Sequence, residues 1–403
     1  MNPLRRLPTR KLLAMIAGVI VLAGSVSAVA VAALGGGGPI PAASTLAAAI
    51  HTAINGPNIQ GVTARIQFTN SLIDSSSIPA ATPLLKGASG RLWASNDGHL
   101  RLELQSSRGD TEILVAPGSF SLFDSASNTV YHGTLPAHKP AAANEPAHQS
   151  PTVQTISDAI TKLMDKVGVS GAVPTNVGGA PAYAVTFSPK HAGGLLGSAQ
   201  LAFDAANGAP LRFAVYAQGD QAPVLELTAT KVSFGAVAPA DLTVAPPAGA
   251  KVVEVNQPST GSPAEARTAN HPAKARKAAV TGQAAVAAAL PFKLAAPAQL
   301  AGLPQTSVRL LSFGKQPAAL VTYGQHLGAI LVLERQVDPS TPAKATGPSD
   351  SSSPFPSVSI NGATGSELAT ALGTLVRFEK GGVSYTVVGS VLPAAAEAAA
   401  RGL

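Results

Sequence analysis

Apolar and polar residues alternate along residues 90–135, and the rest of the chain is organised around this stretch. Leu100, Leu102 and Leu104 are each separated by one polar residue. A period of two places alternate side chains on opposite faces of a β-sheet, so the leucines share one face. Short turns rich in Asn, Asp, Gly and Ser separate the runs, and strands linked so closely can only be antiparallel neighbours. The stretch therefore predicts a meander with one apolar face, and the open question is what covers that face.

Two helices and further strands are predicted on either side of the meander. Residues 45–54 predict a short helix and residues 62–72 the first strand. Residues 153–167 predict the clearest amphipathic helix, with an apolar stripe of Ile156, Ile160, Leu163 and Val167. More strands are predicted at residues 182–188, 199–204, 210–218 and 224–234. Since an apolar helix stripe and an apolar sheet face are natural partners, we expect the helices to cover the sheet.

The C-terminal region predicts a second and smaller unit. Residues 251–282 lack hydrophobic periodicity and predict an exposed linker. Beyond it, strands are predicted at residues 306–313, 318–323, 329–335, 357–361, 374–379 and 383–388, helices at 367–372 and 393–401, and a Ser/Pro-rich loop at 338–356. The predicted division is a first domain at residues 45–255, a linker at 256–282 and a small α+β domain at 283–403.

A run of 23 uncharged residues, 12–34, follows the basic flank at residues 1–11. At about 1.5 Å per residue, a helix of this length can cross a hydrocarbon core of roughly 30 Å. The basic flank favours a cytoplasmic N-terminus, so we expect a single-pass protein of the cell membrane with its body on the extracytoplasmic side. The length favours a retained anchor, and cleavage of a signal peptide after the small residues Ala28 to Ala32 is the alternative.

The formal net charge of +7 does not indicate a nucleic-acid binder. Four positive residues precede the first apolar run, and residues 251–282 carry a further net charge of +3. The predicted folded regions are therefore close to neutral and have no face that could neutralise phosphates. The chain has no cysteine, which excludes disulfides, thiolate metal sites and a lipid-modified N-terminal cysteine.

Two groups of motifs carry a resemblance to a known superfamily. GRLWASNDGHLRLEL followed by VAPGSFSLFDSASNTVYHGTLP has a strand–turn–strand series with an aromatic strand that ends in an Asp-containing turn. The more specific group is an acidic D-x-x-x-G-x-P-x-R hairpin and a Pro-Pro-x-Gly-x-x-Val ending, carried by Asp204, Gly208, Pro210, Arg212, Pro246, Pro247, Gly249 and Val252. Over about residues 45–255 the chain resembles the LolA-like lipoprotein-carrier superfamily (LolA/LolB/RseB-type fold). The C-terminal region resembles a small extracytoplasmic domain of unknown function.

The resemblance implies an open, strongly curved antiparallel sheet, a half-barrel whose concave face is plugged by helices around a lipid-sized apolar cavity. The expected fold class is α+β, with this helix-covered half-barrel, a smaller C-terminal α+β domain and an N-terminal transmembrane helix. The implied function is a non-enzymatic, membrane-anchored protein that holds an acyl chain, lipid or lipoprotein. The carriers' Arg-Pro pair is replaced here by the turn around Asp97. The alternative is an RseB-like envelope sensor that binds another membrane protein, such as an anti-sigma factor.

No residue pattern predicts catalysis, a cofactor or a metal site. The eight histidines are scattered and form no i, i+4 pair, and the chain has neither a G-x-S-x-G elbow nor a phosphate loop. The candidates for the lipid-binding cavity are Trp93, Leu100, Leu102, Leu104, Phe120, Leu122, Ile156, Ile160, Leu163, Phe203 and Phe213. An ordinary packed core is the alternative for this group.

The direction of Trp93, the only tryptophan, depends on the turn that follows it. A two-residue loop of Asp97 and Gly98 would pair Trp93 with Leu102 and point it at the apolar face. A three-residue loop would pair it with Arg101 and point it outward. The sequence leaves both arrangements open.

Overall fold

The computed structural model describes residues 38–73, 87–107, 109–135, 151–191, 193–245, 247–255, 280–313, 316–337 and 355–403. The predicted anchor at residues 12–34 lies outside this part of the chain and stays a prediction, and most of the predicted linker and of the loop at 338–356 lies outside it too. Within the described ranges, no helix is long and apolar enough to cross a membrane.

The chain divides into two compact units, each built mainly of β-strands. The first unit has helices α1 Leu46–Ile54, α2 Val153–Met164 and α3 Pro239–Leu242. Its strands are β1 Gly61–Asn70, β2 Ala88–Ser95, β3 Leu100–Ser106, β4 Gly109–Ala116, β5 Ser119–Asp124, β6 Thr129–Thr134, β7 Val167–Val169, β8 Val173–Val177, β9 Ala180–Pro189, β10 Leu196–Asp204, β11 Pro210–Ala217, β12 Leu225–Phe234 and β13 Lys251–Val255. Among the described residues they form one 13-stranded sheet in the order β13-β6-β5-β4-β3-β2-β1-β12-β11-β10-β9-β7, with β8 beside β9.

The predicted meander is confirmed, because β2 to β6 pair antiparallel in sequence order. Leu102 lies opposite Leu92 on one side and Ile113 on the other. Residues directly opposite in a sheet point to the same face, so these side chains share the apolar face. Arg101 and the other polar residues of β3 point to the opposite face.

The sheet of the first unit curls into a half-barrel. The backbone N–H of Val232 on β12 donates a hydrogen bond of 3.1 Å to the carbonyl of Gly178, in the turn after β8. Three strands lie between β8 and β12 in the sheet order, so the sheet must curl back for these groups to meet. Val177 packs in the same apolar cluster as Ile66 and Leu104. The face of the leucines is therefore the inner face.

The helices α1 and α2 do not cover this inner face. Ile50 and Ile156 pack with Tyr183 and Phe203 in a separate apolar cluster. Ala184, next to Tyr183 on β9, belongs to the inner cluster, so the helices lie on the opposite face of β9. The expectation of helices plugging the inner face therefore differs from the structure. The physical reason is that β9 turns its large aromatic side chains outward and its alanines inward, so the larger apolar surface is outside.

The second unit contains α4 Gln283–Ala289, a 3₁₀ turn His326–Gly328 and α5 Pro393–Arg401. Its strands are β14 Gln299–Leu300, β15 Leu303–Phe313, β16 Gln316–Tyr323, β17 Ile330–Gln336, β18 Ser357–Ile360, β19 Ala363–Thr370, β20 Gly373–Lys380 and β21 Val383–Gly389. The described residues form an 8-stranded sheet in the order β14-β15-β16-β17-β21-β20-β19-β18. Val332 and Val387 on one face pack with Val286 of α4 and Ala396 of α5.

Two secondary-structure predictions were wrong, and the expected α+β class becomes mostly β with few helices. The helix predicted at residues 367–372 lies largely in β19, because residues 367–370 pair with β20 in a tight hairpin and continue the part of β19 that pairs with β18. The start of the predicted linker is β13, which runs parallel to β6. Its β-branched valines and the free edge of β6 explain the strand, since β-branched residues fit a pleated surface.

Candidate apolar binding site

Two apolar rows cross six strands of the inner face, from β12 to β5. The first row consists of Val232, Ala64, Leu92, Leu102, Ile113 and Leu122. The second row consists of Phe234, Val62, Ala94, Leu100, Val115 and Phe120. Since neighbouring strands lie about 4.8 Å apart, each row is roughly 24 Å long.

The inner face is closed at its centre and open toward β5. Leu104 is 1% exposed and Ile66 is 4% exposed. Ile113 and Leu122 in the first row, and Phe120 in the second, keep partial exposure. Contiguous apolar side chains that remain accessible are typical of a surface that another molecule covers.

A cleft of about 700 Å³ opens at the β12 end of both rows. Val232 and Phe234, the first members of the two rows, are in its wall together with Ala180 and Pro181. The rows therefore lead directly into the cleft. Its volume lies within the range of small-molecule pockets, and mostly apolar walls are typical of them.

Two polar residues of the cleft, Asp204 and Asn207, are used by the fold. Asp204 is 4% exposed, and its carboxylate accepts hydrogen bonds from the N–H groups of Ala206 and Asn207, at 2.9 and 3.0 Å. Gly208 has φ +75°, a conformation that suits glycine in this hairpin. The D-x-x-x-G motif therefore builds the turn between β10 and β11, and it offers no reacting group to the cleft.

The predicted cavity residues fall into separate groups in the structure. Leu100, Leu102, Leu104, Phe120 and Leu122 share the inner face. Phe213 joins them, because it lies opposite Leu227, which lies opposite Phe68 of the inner face. Four others, Ile156, Ile160, Leu163 and Phe203, pack in the helix cluster on the other face of β9 and β10.

Trp93 follows the second of its two possible arrangements. The N–H of Ser95 donates to the carbonyl of His99 at 2.9 Å, which leaves a three-residue loop. Trp93 lies opposite Arg101 and points to the outer face, where it is 8% exposed. The sequence signal was Gly98 at the third loop position, since it has φ +96° and such loops need glycine there.

Eight of the twelve row members were missing from the sequence-based candidates, and Ile113, Val115, Val232 and Phe234 are the larger ones toward the two ends. Ile113 and Val115 alternate with their neighbours on β4, so the period of two could have found them. Val232 and Phe234 could not be placed in this way. A register shift in the β1–β12 pairing falls between Arg65 and Ile66, and it changes which residues of β12 point inward.

The neighbouring Ser, Asp and His side chains around the β2–β3 turn lack the arrangement of a catalytic triad. The described residues contain no group of three or more His, Asp or Glu side chains that could hold a metal ion. Ser95, Asp97 and His99 lie together, but the Ser95 hydroxyl donates to the Asp97 carboxylate and not to the imidazole. A serine nucleophile needs the imidazole as its base. The hydrogen bond from Ser95, followed by that from His99, lowers the pKa of Asp97 to about 2, which fits a turn carboxylate.

No family model matches the chain, and no curated protein matches it. The solved structures that are similar include MucB in complex with MucA(peri), with 14% identity, 85% of this chain and 92% of that chain covered, and a TM-score of 0.37. The MucA/MucB complex of Pseudomonas aeruginosa has 15% identity, with 88% of this chain and 94% of that chain covered and a TM-score of 0.36.

A putative outer membrane lipoprotein-sorting protein domain from Vibrio parahaemolyticus is also similar, with 9% identity, 49% of this chain and 94% of that chain covered, and a TM-score of 0.16. These neighbours are of the lipoprotein-carrier and RseB type that the sequence resembles. Every one of these TM-scores is below 0.5, so the likenesses do not indicate a function for this chain.

Proposed function

We propose that the first unit binds an extended apolar ligand, the acyl chain of a lipid or lipoprotein, along the two rows of its inner face. The observation that carries this proposal is the continuity of the rows with the 700 Å³ cleft. Val232 and Phe234 belong to both features, so one chain-like ligand can contact the cleft and the half-exposed residues up to Leu122 and Phe120.

The driving force of this binding is the removal of apolar surface from water. Each CH₂ group that is buried contributes about 0.8 kcal/mol before the costs of association are subtracted. A row of roughly 24 Å, at about 4.8 Å per strand, can contact many such groups. The Asp204 carboxylate already accepts two backbone hydrogen bonds, so the one cation among the described residues of the wall, the exposed Lys231, is the group that could meet an anionic end of the ligand. Holding a ligand, without chemical conversion, is the function that fits these residues.

Photolabelling in membranes tests the proposal on the full chain. A photoreactive fatty acid is supplied to cells that make the protein, and the labelled peptides are identified by mass spectrometry. We expect label on peptides from β3 to β5, which carry Leu102, Ile113 and Leu122 on the inner face. Label confined to α2, or absent from β3 to β5, would overturn the proposal.

The anchor and the location complete the proposed function. The uncharged run at residues 12–34 and the basic flank before it support a single-pass protein with its body outside the cytoplasm. A C-terminal tag should stay with membranes through a carbonate wash and be cut by protease added to intact spheroplasts. A soluble mature chain that starts near Ala33 would show a cleaved signal peptide instead.

Binding of a membrane regulatory protein is the second candidate function, and one surface of the second unit favours it. Leu331, Val388, Leu375 and Leu368 lie opposite one another on β17, β21, β20 and β19. This row faces away from α4 and α5, because the alternate residues Val332 and Val387 pack under those helices. Val388 is 39% exposed, and Arg335 and Arg377 are exposed on the same face. An apolar centre with arginines around it is typical of protein interfaces.

A photocrosslinking residue placed at Val388 tests this second candidate in cells. We expect one partner protein to be captured at Val388 and none at Gln299, an exposed position of the same unit. Equal capture at both positions would show that the Val388 face has no specific partner.

A further inference from the structure

A carboxyl group lies buried in the middle of the second sheet without a full set of hydrogen-bond partners. Glu334 on β17 has 0% exposure and lies opposite Ala319 on β16 and Tyr385 on β21. Its Oε2 accepts the backbone N–H of Ala295 at 2.9 Å, and its Oε1 has no hydrogen-bond partner. A buried carboxylate in such a place is costly, because among the residues that the structure describes no cation and no second donor compensates its charge.

The groups that face Glu334 leave it as the one that titrates near neutral pH. Burial raises the pKa of Glu334 to about 7, against the opposing effect of the Ala295 N–H. From β16, Tyr323 has a pKa raised to about 12, chiefly by burial, and from β21 the pKa of Tyr385 is raised for the same reason. The helix α4 has no titratable residue, and α5 turns Ala396, Ala399 and Ala400 toward the core. Glu367 of β19 lies farther along the same face, opposite Val376, and its pKa is raised by burial and then by Glu397.

Ala295 belongs to residues 291–297, the connection between α4 and β14, which crosses the edge of the core. The carbonyl of the next residue, Ala296, accepts hydrogen bonds from Gln283 and Gln305 at 3.2 and 3.1 Å. A cleft of about 770 Å³ lies between this connection and the turn at Gly381 and Gly382. Both Ala295 and Tyr385 are in the wall of the cleft, so Glu334 lies directly behind that wall. Lys293, the cation of this connection, is exposed.

We propose that Glu334 is a proton-controlled latch: its neutral carboxyl holds residues 291–297 closed on the second sheet, and loss of the proton loosens this connection and opens the cleft beside it. Ionisation favours a conformation in which the carboxylate is hydrated. In the closed conformation the carboxyl group is fully buried. Residues 291–297 are the most weakly held part of the structure around Glu334. Four side-chain hydrogen bonds and the packing of Phe292 and Leu294 against the core hold them, and no strand ladder does.

The direction and the range of the pH effect follow from the raised pKa. Between the ordinary value of 4.5 and about 7, the closed form holds its proton while an open, hydrated form has lost it. The closed form is therefore most favoured at low pH. Its advantage over the open form decreases as the pH rises through this range and becomes constant once the pH is well above about 7. With these two pKa values, the population of the open form should rise roughly seventyfold between pH 5 and pH 8.

Hydrogen exchange of the full chain at pH 5 and pH 8 tests the latch, after correction for the intrinsic pH dependence of exchange. We expect the protection of the peptide that covers residues 291–297 to fall by several tens of fold at pH 8, with little change in β21. Glu334→Gln keeps an acceptor for Ala295 but cannot ionise, so its protection should be the same at both pH values. Equal protection of the natural chain at pH 5 and pH 8, or an unchanged pH effect in Glu334→Gln, would overturn the proposal. The NMR titration of the Glu334 carboxyl in the natural chain is a second measurement that needs no variant, and a midpoint near 4.5 would also overturn it.

Discussion

The guanidinium of Arg101 lies over the indole ring of Trp93, with the Arg101 Cζ 4.8 Å from the ring centroid. The Arg101 Nε also donates to a Glu112 oxygen at 2.5 Å, and its Nη1 donates to the carbonyl of Asp241 at 3.4 Å. The outer face of the meander is thereby closed by an aromatic and ionic layer. The next residue, Leu102, points to the inner face. Arg101 therefore stabilises the outer face of β3, while Leu102 belongs to the candidate binding face.

The first prediction separates these two layers. Arg101→Gln should lower the free energy of unfolding of the first unit by about 1–2 kcal/mol, since it removes a cation–π contact and a partly buried ion pair. It should also shift the emission of Trp93 to longer wavelength, while the affinity for a fluorescent fatty-acyl probe stays unchanged. Urea unfolding followed by Trp93 fluorescence measures the first unit alone, since Trp93 is the only tryptophan.

Arg91→Gln is the matched control, because Arg91 is an exposed arginine on the same face of β2. Its effect on unfolding should stay within about 0.5 kcal/mol, as for most surface substitutions. Loss of acyl-probe binding in Arg101→Gln, with the fold intact, would contradict the assignment of the two faces.

The second prediction concerns Arg212 of the hairpin motif. Its side chain is 5% exposed and donates to Glu226, Gln200 and Tyr216. Arg212→Met should lower the free energy of unfolding by about 3–5 kcal/mol, because Glu226 and Gln200 lose the partner that satisfies them. Thermal melting followed by Trp93 fluorescence checks this, with Arg65→Met, at an exposed arginine of β1 in the same unit, as a control that should melt like the natural chain. A small effect of Arg212→Met would show that water replaces the guanidinium.

The third prediction concerns the pH dependence of the β2–β3 turn. The pKa of Asp97 is lowered to about 2, so its turn hydrogen bonds are fully present above its ordinary value of 3.8 and are lost as the pH falls toward 2. NMR titration of the side-chain carboxyl should give a midpoint near 2. In Ser95→Ala the midpoint should move up toward 3.8, because Ser95 supplies the largest part of the lowering. An unchanged midpoint in Ser95→Ala would assign the effect to His99 instead.

The sequence predicted the meander and its apolar face well, because both depend on local alternation and turn chemistry. The period of two gave the shared face of Leu100, Leu102 and Leu104, and the helix at residues 393–401 begins with the proline that suits its first turn. These features need only contacts between neighbours in the chain.

Features that depend on distant contacts could not be predicted in the same way. The curl of the sheet depends on the hydrogen bond between Val232 and Gly178, and the inward direction of Val232 depends on an irregular register. Both faces of β9 are apolar, so alternation alone did not tell which face the helices cover. Residues 367–372 have helix-forming Glu, Leu and Ala, yet the pairing of residues 367–370 with β20 outweighs that weak propensity.

The proposed binding of an acyl chain by the inner face is tested most directly by two leucines on adjacent strands. Leu122 points inward from β5 and Leu114 points outward from β4, and both are half-buried. The measurement is the affinity of the full chain for a fluorescent fatty-acyl probe, with thermal melting recorded in parallel. We predict that Leu122→Gln weakens binding about tenfold or more, since an amide replaces methyl groups that a ligand would contact, whereas Leu114→Gln binds like the natural chain. Equal affinities of the two variants at equal melting temperatures, or no binding by the natural chain, would contradict the account.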